Sequence, residues 1–266
     1  MSADRFLPTD TALVTGASSG IGYELAKALD QYGLKHIYLV ARRKERLTSL
    51  ASQLACESTI VQCDLSNKRE RKALFGSVKD VDILINNAGF GLRGVFQEQS
   101  LSSLSDMIEL HVNATVEMCH HFLKGMRQKR RGYIVNVGSS IGEFSVPNSA
   151  MYCATKAFIN NFTETLRMEE DKYGIKAMLL APGPVKTEFF AQSQVGRTIP
   201  KGALSPQIVS QICLNELLNG TPRHMPDWKI RLLVTAARHM PRTVCYSLIH
   251  NIHRLKINAR STIRSN

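Results

Sequence analysis

The octapeptide Thr15-Gly16-Ala17-Ser18-Ser19-Gly20-Ile21-Gly22 constrains the fold more than any other part of the chain. It follows a strand-like run, Thr11 to Thr15, and opens a helical stretch that reaches about Tyr32. Gly16 permits a tight turn, while Gly20 and Gly22 let backbone reach a ligand and let the helix pack on the strand. A helix entered this way offers its first N–H groups and its dipole to an anion such as a pyrophosphate. The same rhythm continues downstream. Strands are expected at His36 to Val40, Ser58 to Gln62, Val81 to Ile85, Tyr133 to Val137 and Lys176 to Leu180. Helices are expected after strand two through Leu54, from about Leu104 to Lys124, and from Met151 to Lys172. Alternation of this kind builds βαβ units, hence an α/β protein with a parallel sheet.

A chain of 266 residues suits one large domain, and 44% hydrophobic with 21% charged residues supplies a real core. The six cysteines form no CxxC pair, which argues against a zinc site or a disulfide framework and fits a reducing compartment. The eight histidines show no ligand spacing, so no metal is expected. Met1 to Asp10 lacks the apolar stretch of a leader, and no apolar run reaches the roughly 18 residues of a membrane span. The expected location is cytoplasmic.

Beyond Thr187 the rhythm stops. Glu188 to Leu204 has no clean periodicity, contains Gly196, Pro200 and Gly202, and reads as a substrate-side loop. Ser205 to Asn219 reads as a helix with Pro206 in its first turn and Gly220 as its stop; Arg223 to Met225 reads as a short last strand. Net charge is +12, and the eight cations of Trp228 to Asn266 face no acidic residue in that segment. It reads as two amphipathic helices divided at Pro241, so the expected division is a domain over 1–227 and a basic extension over 228–266. Such helices pack on their own domain or on a second subunit, or lie in a lipid headgroup layer. No aromatic-rich or zinc-type reader accompanies the charge, so nucleic acid is not expected as a partner.

Three further features carry chemistry. Strand two ends Val40-Ala41-Arg42-Arg43 with no acidic residue to accept from a ribose 2′-hydroxyl. An arginine there pairs instead with a 2′-phosphate, which favours NADP(H) over NAD(H); Arg42 and Arg43 also fit the start of a solvated basic helix. Asp64, after strand three, is placed to accept from an adenine amino group or to cap the next helix. Tyr152 and Lys156 are four apart on a helix, so they share a face, and a nearby ammonium favours phenolate. Ser139 lies thirteen residues upstream of the tyrosine.

With the GxxxGxG turn, Asn86-Asn87-Ala88-Gly89, Asn113, Ser139, Tyr152 with Lys156, and Pro182-Gly183-Pro184-Val185-Lys186-Thr187 in this order, the chain resembles the short-chain dehydrogenase/reductase family over about residues 8 to 190. The resemblance implies a Rossmann-type, doubly wound sheet of about seven strands with helices on both faces, followed here by the amphipathic C-terminal helices. It implies a catalytic set of Asn113, Ser139, Tyr152 and Lys156. Tyr152 would give a proton to a carbonyl oxygen that Ser139 also holds; the family's spacing selects Ser139 over Ser140. Lys156 would hold the ribose hydroxyls and depress the tyrosine pKa, and Asn113 would hold a water leading to Lys156. The cofactor would lie on Gly16, Ser18, Ser19, Gly20, Ile21 and Gly22, then on Arg42, Arg43, Asp64 and Leu65, and on Asn87, Ala88 and Gly89. Pro182, Gly183, Val185 and Thr187 would cover its nicotinamide.

The expected activity is NADPH-dependent reduction of a lipophilic ketone or ketoacyl-type substrate, with apolar contacts from Phe189, Phe190, Val195 and Ile199 and with Lys186 or Arg197 as the local cations. An NAD-dependent alcohol dehydrogenase and a non-catalytic nucleotide-binding regulator are the other readings. A homodimer or homotetramer, with peripheral membrane contact as an option for the extension, completes the expectation.

Overall fold

A computed structural model of the protein describes residues 6–189, 199–249 and 251. Of the residues named above, Phe190, Val195, Gly196 and Arg197 and the basic residues from 252 onward lie outside that set. Seven parallel strands form one sheet in the order β3-β2-β1-β4-β5-β6-β7. They are β1 Thr11–Thr15, β2 His36–Ala41, β3 Glu57–Gln62, β4 Ile83–Asn86, β5 Gly132–Val137, β6 Ile175–Leu180 and β7 Arg223–His224. The helices are α1 Gly20–Asp30, α2 Lys44–Ala51, α3 Lys68–Ser77, α4 Leu101–Ile108, α5 Ala114–Lys129, α6 Ala150–Glu170, α7 Pro206–Leu218 and α8 Trp228–Arg238.

Side chains alternate across each strand and so feed two cores. Ala12, Val14, Ile83, Ile85, Val135 and Val137 face a layer that includes Leu25 and Leu29 of α1, Leu47 of α2 and Val209 of α7. Leu13, Leu84 and Ile134 face the opposite layer, with Leu74 of α3, Met118 and Phe122 of α5 and Leu166 of α6. Both faces of the central strands are thus dry, as a parallel sheet requires. The chain runs from β1 outward to β2 and β3, then returns to place β4 on the other side of β1. The crevice at the C-terminal ends of β1 and β4 is the position where such sheets bind ligands.

Two elements differ from expectation. Residues 68–77 form the helix after β3, whose bounds sequence patterning does not give because only Arg71 and Leu74 of it are buried. Polar contacts hold it: Asn67 Oδ1 accepts from the N–H of Arg69 at 2.9 Å, and the buried Arg71 guanidinium donates to Glu117, Glu109 and the Leu65 carbonyl. The helix expected from Leu104 to Lys124 starts earlier, ends later, and contains a π-turn over Glu109–Asn113. One extra residue per turn leaves no mark in apolar periodicity, and such bulges recur at functional sites.

At the C-terminus, Asp227 caps α8 by accepting from the N–H groups of Lys229 and Ile230. Ile230 and Val234 pack against Ile159, Leu179, Ala181, Met225 and Phe144. The opposite face leaves Trp228 and Leu232 62% and 64% exposed, while Leu233, beside Ile230, is 58% exposed. Residues 242–249, after Pro241, are helical again. No helix among the described residues is long and apolar enough to cross a membrane.

Candidate active site

The turn between β1 and α1 is shaped by close approach. Gly16 has φ +67°, and a Cβ there would lie 2.7 Å from Asn87 Nδ2. Gly20 has φ +62°, and its Cβ would lie 3.0 Å from the Thr187 methyl. Thr15 fastens this turn to the end of β4. Its hydroxyl donates to the Ile85 carbonyl and accepts from the N–H groups of Asn87 and Ala88, at 2.9 to 3.1 Å. Asn87 Nδ2 donates back to the Thr15 carbonyl at 2.9 Å. Ser19 precedes α1 without a side-chain capping bond, so the first turn of that helix faces the cleft with its dipole uncapped by the residue placed to do so. Such a cradle fits a pyrophosphate.

One cavity of about 540 Å³ runs from this turn past β2 and along β5 to α6 and α8. Gly16, Ser18, Ser19, Gly20, Ile21, Arg42, Arg43, Asp64, Leu65, Asn87, Ala88, Gly89, Ser139, Tyr152, Lys156, Pro182, Gly183, Val185 and Thr187 all line it. Of the expected site residues that the structure describes, Gly22 and Asn113 do not, nor do Lys186 and Ile199, which were expected beside the substrate. Gly22 serves the packing of the turn, since a Cβ there would meet Asn87 Nδ2 at 2.4 Å and the Gly16 carbonyl oxygen at 2.6 Å. Asn113 ends the π-turn and donates from Nδ2 to Glu109 Oε1 at 2.8 Å.

The two arginines after β2 are not equivalent. Arg42 points outward, 69% exposed, with Asp64 Oδ2 at 3.8 Å. Arg43 folds over the phosphate turn and donates to Ser18 Oγ at 3.1 Å and Ser19 Oγ at 2.8 Å. Asp64 Oδ1 accepts from the N–H and hydroxyl of Ser66, and Asn67 rather than Asp64 caps α3.

At the other end, the Tyr152 phenol and the Ser139 side chain line the cavity together, and Ser139 Oγ donates to the Pro182 carbonyl at 3.5 Å. Ser139 Oγ also accepts from the N–H of Ile141 at 3.2 Å. The main chain of Ser139 is held by Asn160, which donates from Nδ2 to its carbonyl at 3.1 Å and accepts from its N–H at 3.4 Å. Asn160 is one helical turn beyond Lys156 on the same face of α6. A buried chain of amides and a hydroxyl, Asn86 to Asn136 to Thr163, ties that helix to β4 and β5.

Lys156 is 4% exposed and donates from Nζ to the Val137 carbonyl at 2.8 Å. Burial lowers its pKa from 10.5 to about 8. The expectation that this ammonium makes Tyr152 more acidic needs correction. Burial pushes the phenol above its usual range, and the neighbouring Ser139 side chain opposes it only in part.

His111, unmarked in sequence, is fully buried inside the π-turn. Its Nε2 accepts from the Phe90 N–H at 3.1 Å, so Nδ1 carries the proton toward Thr155 Oγ1 at 3.0 Å. Burial and the Lys156 charge hold it neutral, well below the usual histidine range. It joins the Asn87–Gly89 turn to α6. The substrate end of the cavity is walled by Phe90, Leu92, Phe144, Phe189, Ile230 and Leu233, with Arg93 beside them. Of these only Phe189 and the apolar face of α8 had a signal in sequence.

A family model described as short chain dehydrogenase matches residues 10–197. The chain belongs to the short-chain dehydrogenase/reductase family. It is an oxidoreductase of that family, whose cofactor is a nicotinamide dinucleotide. Among its relatives, the 3-oxoacyl-[acyl-carrier-protein] reductase FabG of Rickettsia prowazekii (strain Madrid E) is 34% identical over 178 residues, covering 67% of this chain and 73% of that protein. A bulky-bulky ketone specific alcohol dehydrogenase from Comamonas testosteroni has a solved structure with TM-score 0.75 and 25% identity, covering 98% of this chain and 95% of that one. A short-chain dehydrogenase from Sphingobium yanoikuyae, in complex with NADPH, shares the fold at TM-score 0.78 and 24% identity, covering 97% and 96% of the two chains.

Proposed function

We propose that the chain is an NADPH-dependent reductase of a lipophilic ketone or ketoacyl-type carbonyl. The observation that carries this reading is one continuous cavity with Arg43 over the phosphate turn at one end and the Tyr152–Ser139 pair at the other. When bound, NADPH supplies hydride to the carbonyl carbon. Tyr152 donates a proton to the carbonyl oxygen, and Ser139 donates a hydrogen bond to that oxygen as charge develops. Because burial disfavours phenolate, Tyr152 enters the reaction protonated, as reduction requires. Lys156 is cationic below about pH 8 and is placed on α6 to hold ribose hydroxyls and steady the phenol. Asn113 takes part through the π-turn, holding a water between Lys156 and solvent.

The apolar walls support a lipophilic substrate, and the names of the 3-oxoacyl-[acyl-carrier-protein] reductase relative and the bulky-bulky ketone specific neighbour support a carbonyl one. The test is NADPH oxidation across aliphatic ketones, ketoacyl thioesters, steroids and quinones, with wild type and Tyr152→Phe. Turnover of lipophilic carbonyls that falls about 10²- to 10⁴-fold in the variant, with NADPH affinity retained, supports the reading. Turnover of small charged ketones alone would remove it.

The same reading places the protein in a reducing, cytoplasmic setting as a homodimer or homotetramer. The extension over 228–266 is docked, in its described part, through Ile230 and Val234 of α8. The exposed Trp228 and Leu232, flanked by Lys229 and Arg231, are the side chains through which the optional peripheral contact with an anionic membrane would be made. Flotation with anionic liposomes that is equal for the full chain and for residues 1–227 would dismiss that contact.

A further inference from the structure

Arg43 holds an anionic side chain as well as its two serines. Besides Ser18 and Ser19, its guanidinium donates from Nη1 to Glu188 Oε2 at 2.8 Å. The other carboxylate oxygen of Glu188 is taken by Arg46. Arg43 follows β2 on the adenosine side of the cavity, whereas Glu188 directly follows Thr187, and both line that cavity. The ion pair therefore spans the cleft between residues 145 positions apart in sequence.

We propose that Glu188 is a cofactor-specificity residue, sharing Arg43 with the adenosine 2′-phosphate and thereby narrowing the preference for NADPH over NADH. This rests on the NADP reading above. A phosphate monoester carries between one and two negative charges at neutral pH, so a carboxylate on the same guanidinium repels it. A ribose 2′-hydroxyl carries no charge and meets no such opposition. Arg43 and Arg46 hold the carboxyl of Glu188 below its usual range, so it is ionised throughout the neutral region. Ser18 and Ser19 anchor Arg43 independently, so its position over the turn does not depend on Glu188. The side chains of Arg43 and Glu188 are 35% and 40% exposed, so solvent limits the effect to a modest factor.

The experiment is calorimetric titration of the full-length chain with 2′,5′-ADP and with 5′-AMP, which report the adenosine site without turnover. Glu188→Gln should bind 2′,5′-ADP about fivefold more tightly than wild type, with 5′-AMP unchanged. Glu188→Ala should move the same way, and the gain should shrink as salt rises. Thermal melts of each variant establish that it is folded. If folded Glu188→Gln and Glu188→Ala bind 2′,5′-ADP no better than wild type, or more weakly, the sharing of Arg43 is overturned. The NADP reading survives that outcome provided Arg43→Ala abolishes the wild-type preference for 2′,5′-ADP. If wild type shows no preference for 2′,5′-ADP, the NADP reading falls and this proposal falls with it.

Discussion

Replacing Lys156 with methionine should stabilise the folded protein at neutral pH while removing a cation that the proposed mechanism uses. Lys156 is 4% exposed, and burial takes its pKa from 10.5 to about 8. At about 1.4 kcal/mol per unit, carrying the ammonium in this site costs the folded state about 3 kcal/mol at pH 7. Methionine has similar length and no charge. It also removes the hydrogen bond to the Val137 carbonyl, at a cost of about 1 kcal/mol, which leaves a net gain of about 2 kcal/mol. The sign of the pH dependence follows from the two pKa values. Between 8 and 10.5 the unfolded chain binds more protons at this residue than the folded one, so wild-type stability from this group rises with pH. Methionine cannot titrate, so its advantage should narrow by about 2 kcal/mol between pH 7 and pH 9.5. Urea denaturation of both proteins at both pH values measures this. The difference between them cancels ionisations common to both, such as the thiols of Cys63 and Cys119, which burial pushes up to about 12. A variant less stable than wild type by more than about 1 kcal/mol at pH 7, or a gap that stays constant with pH, would refute the assignment of a strained buried ammonium.

Other substitutions test the supports of the site. Gly22→Ala places a methyl 2.4 Å from Asn87 Nδ2 and 2.6 Å from the Gly16 carbonyl oxygen, so urea denaturation should show a loss of about 2–4 kcal/mol and cofactor titration a weaker complex. Asn160→Ala frees the main chain of Ser139. Steady-state kinetics should show kcat reduced by about 10- to 100-fold while cofactor Kd is unchanged, and a Kd that moved as much as kcat would assign Asn160 to the fold alone. Arg71→Met leaves Glu109 and Glu117 without their shared cation, and chemical denaturation should report a loss of about 2–4 kcal/mol.

The order of elements was legible because a parallel sheet covered on both faces imposes short apolar strands separated by amphipathic helices. β1 was read with its observed bounds, and β2, β3, β5, β6 and β7 to within a residue at either end. The bounds and cap of α3 escaped because its stability comes from Asn67 and a buried Arg71 rather than from an apolar stripe. The π-turn escaped because hydrogen-bond register has no counterpart in residue type. Arg42 and Arg43 looked alike in sequence. They diverge only because one leaves the end of β2 outward and the other turns onto Ser18 and Ser19. Asn160 carried a faint signal, its spacing from Tyr152 and Lys156 on one helical face, whereas His111 and Glu188 carried none.

What the amino-acid sequence determined by itself was local: turn glycines, helix caps, the period of apolar residues, and residue types spaced to share a helical face. These depend on backbone geometry within a few residues. The tertiary structure decided the environment of each group. It buried Lys156 and half-buried Tyr152 so that desolvation, not their mutual charge, is the largest influence on their proton affinities. It brought Glu188 to Arg43 across 145 residues. It also laid Ile230 and Leu233 of α8 along the substrate end of the cleft. Dielectric environment and long-range contact are properties of packing, and no stretch of chain carries them alone.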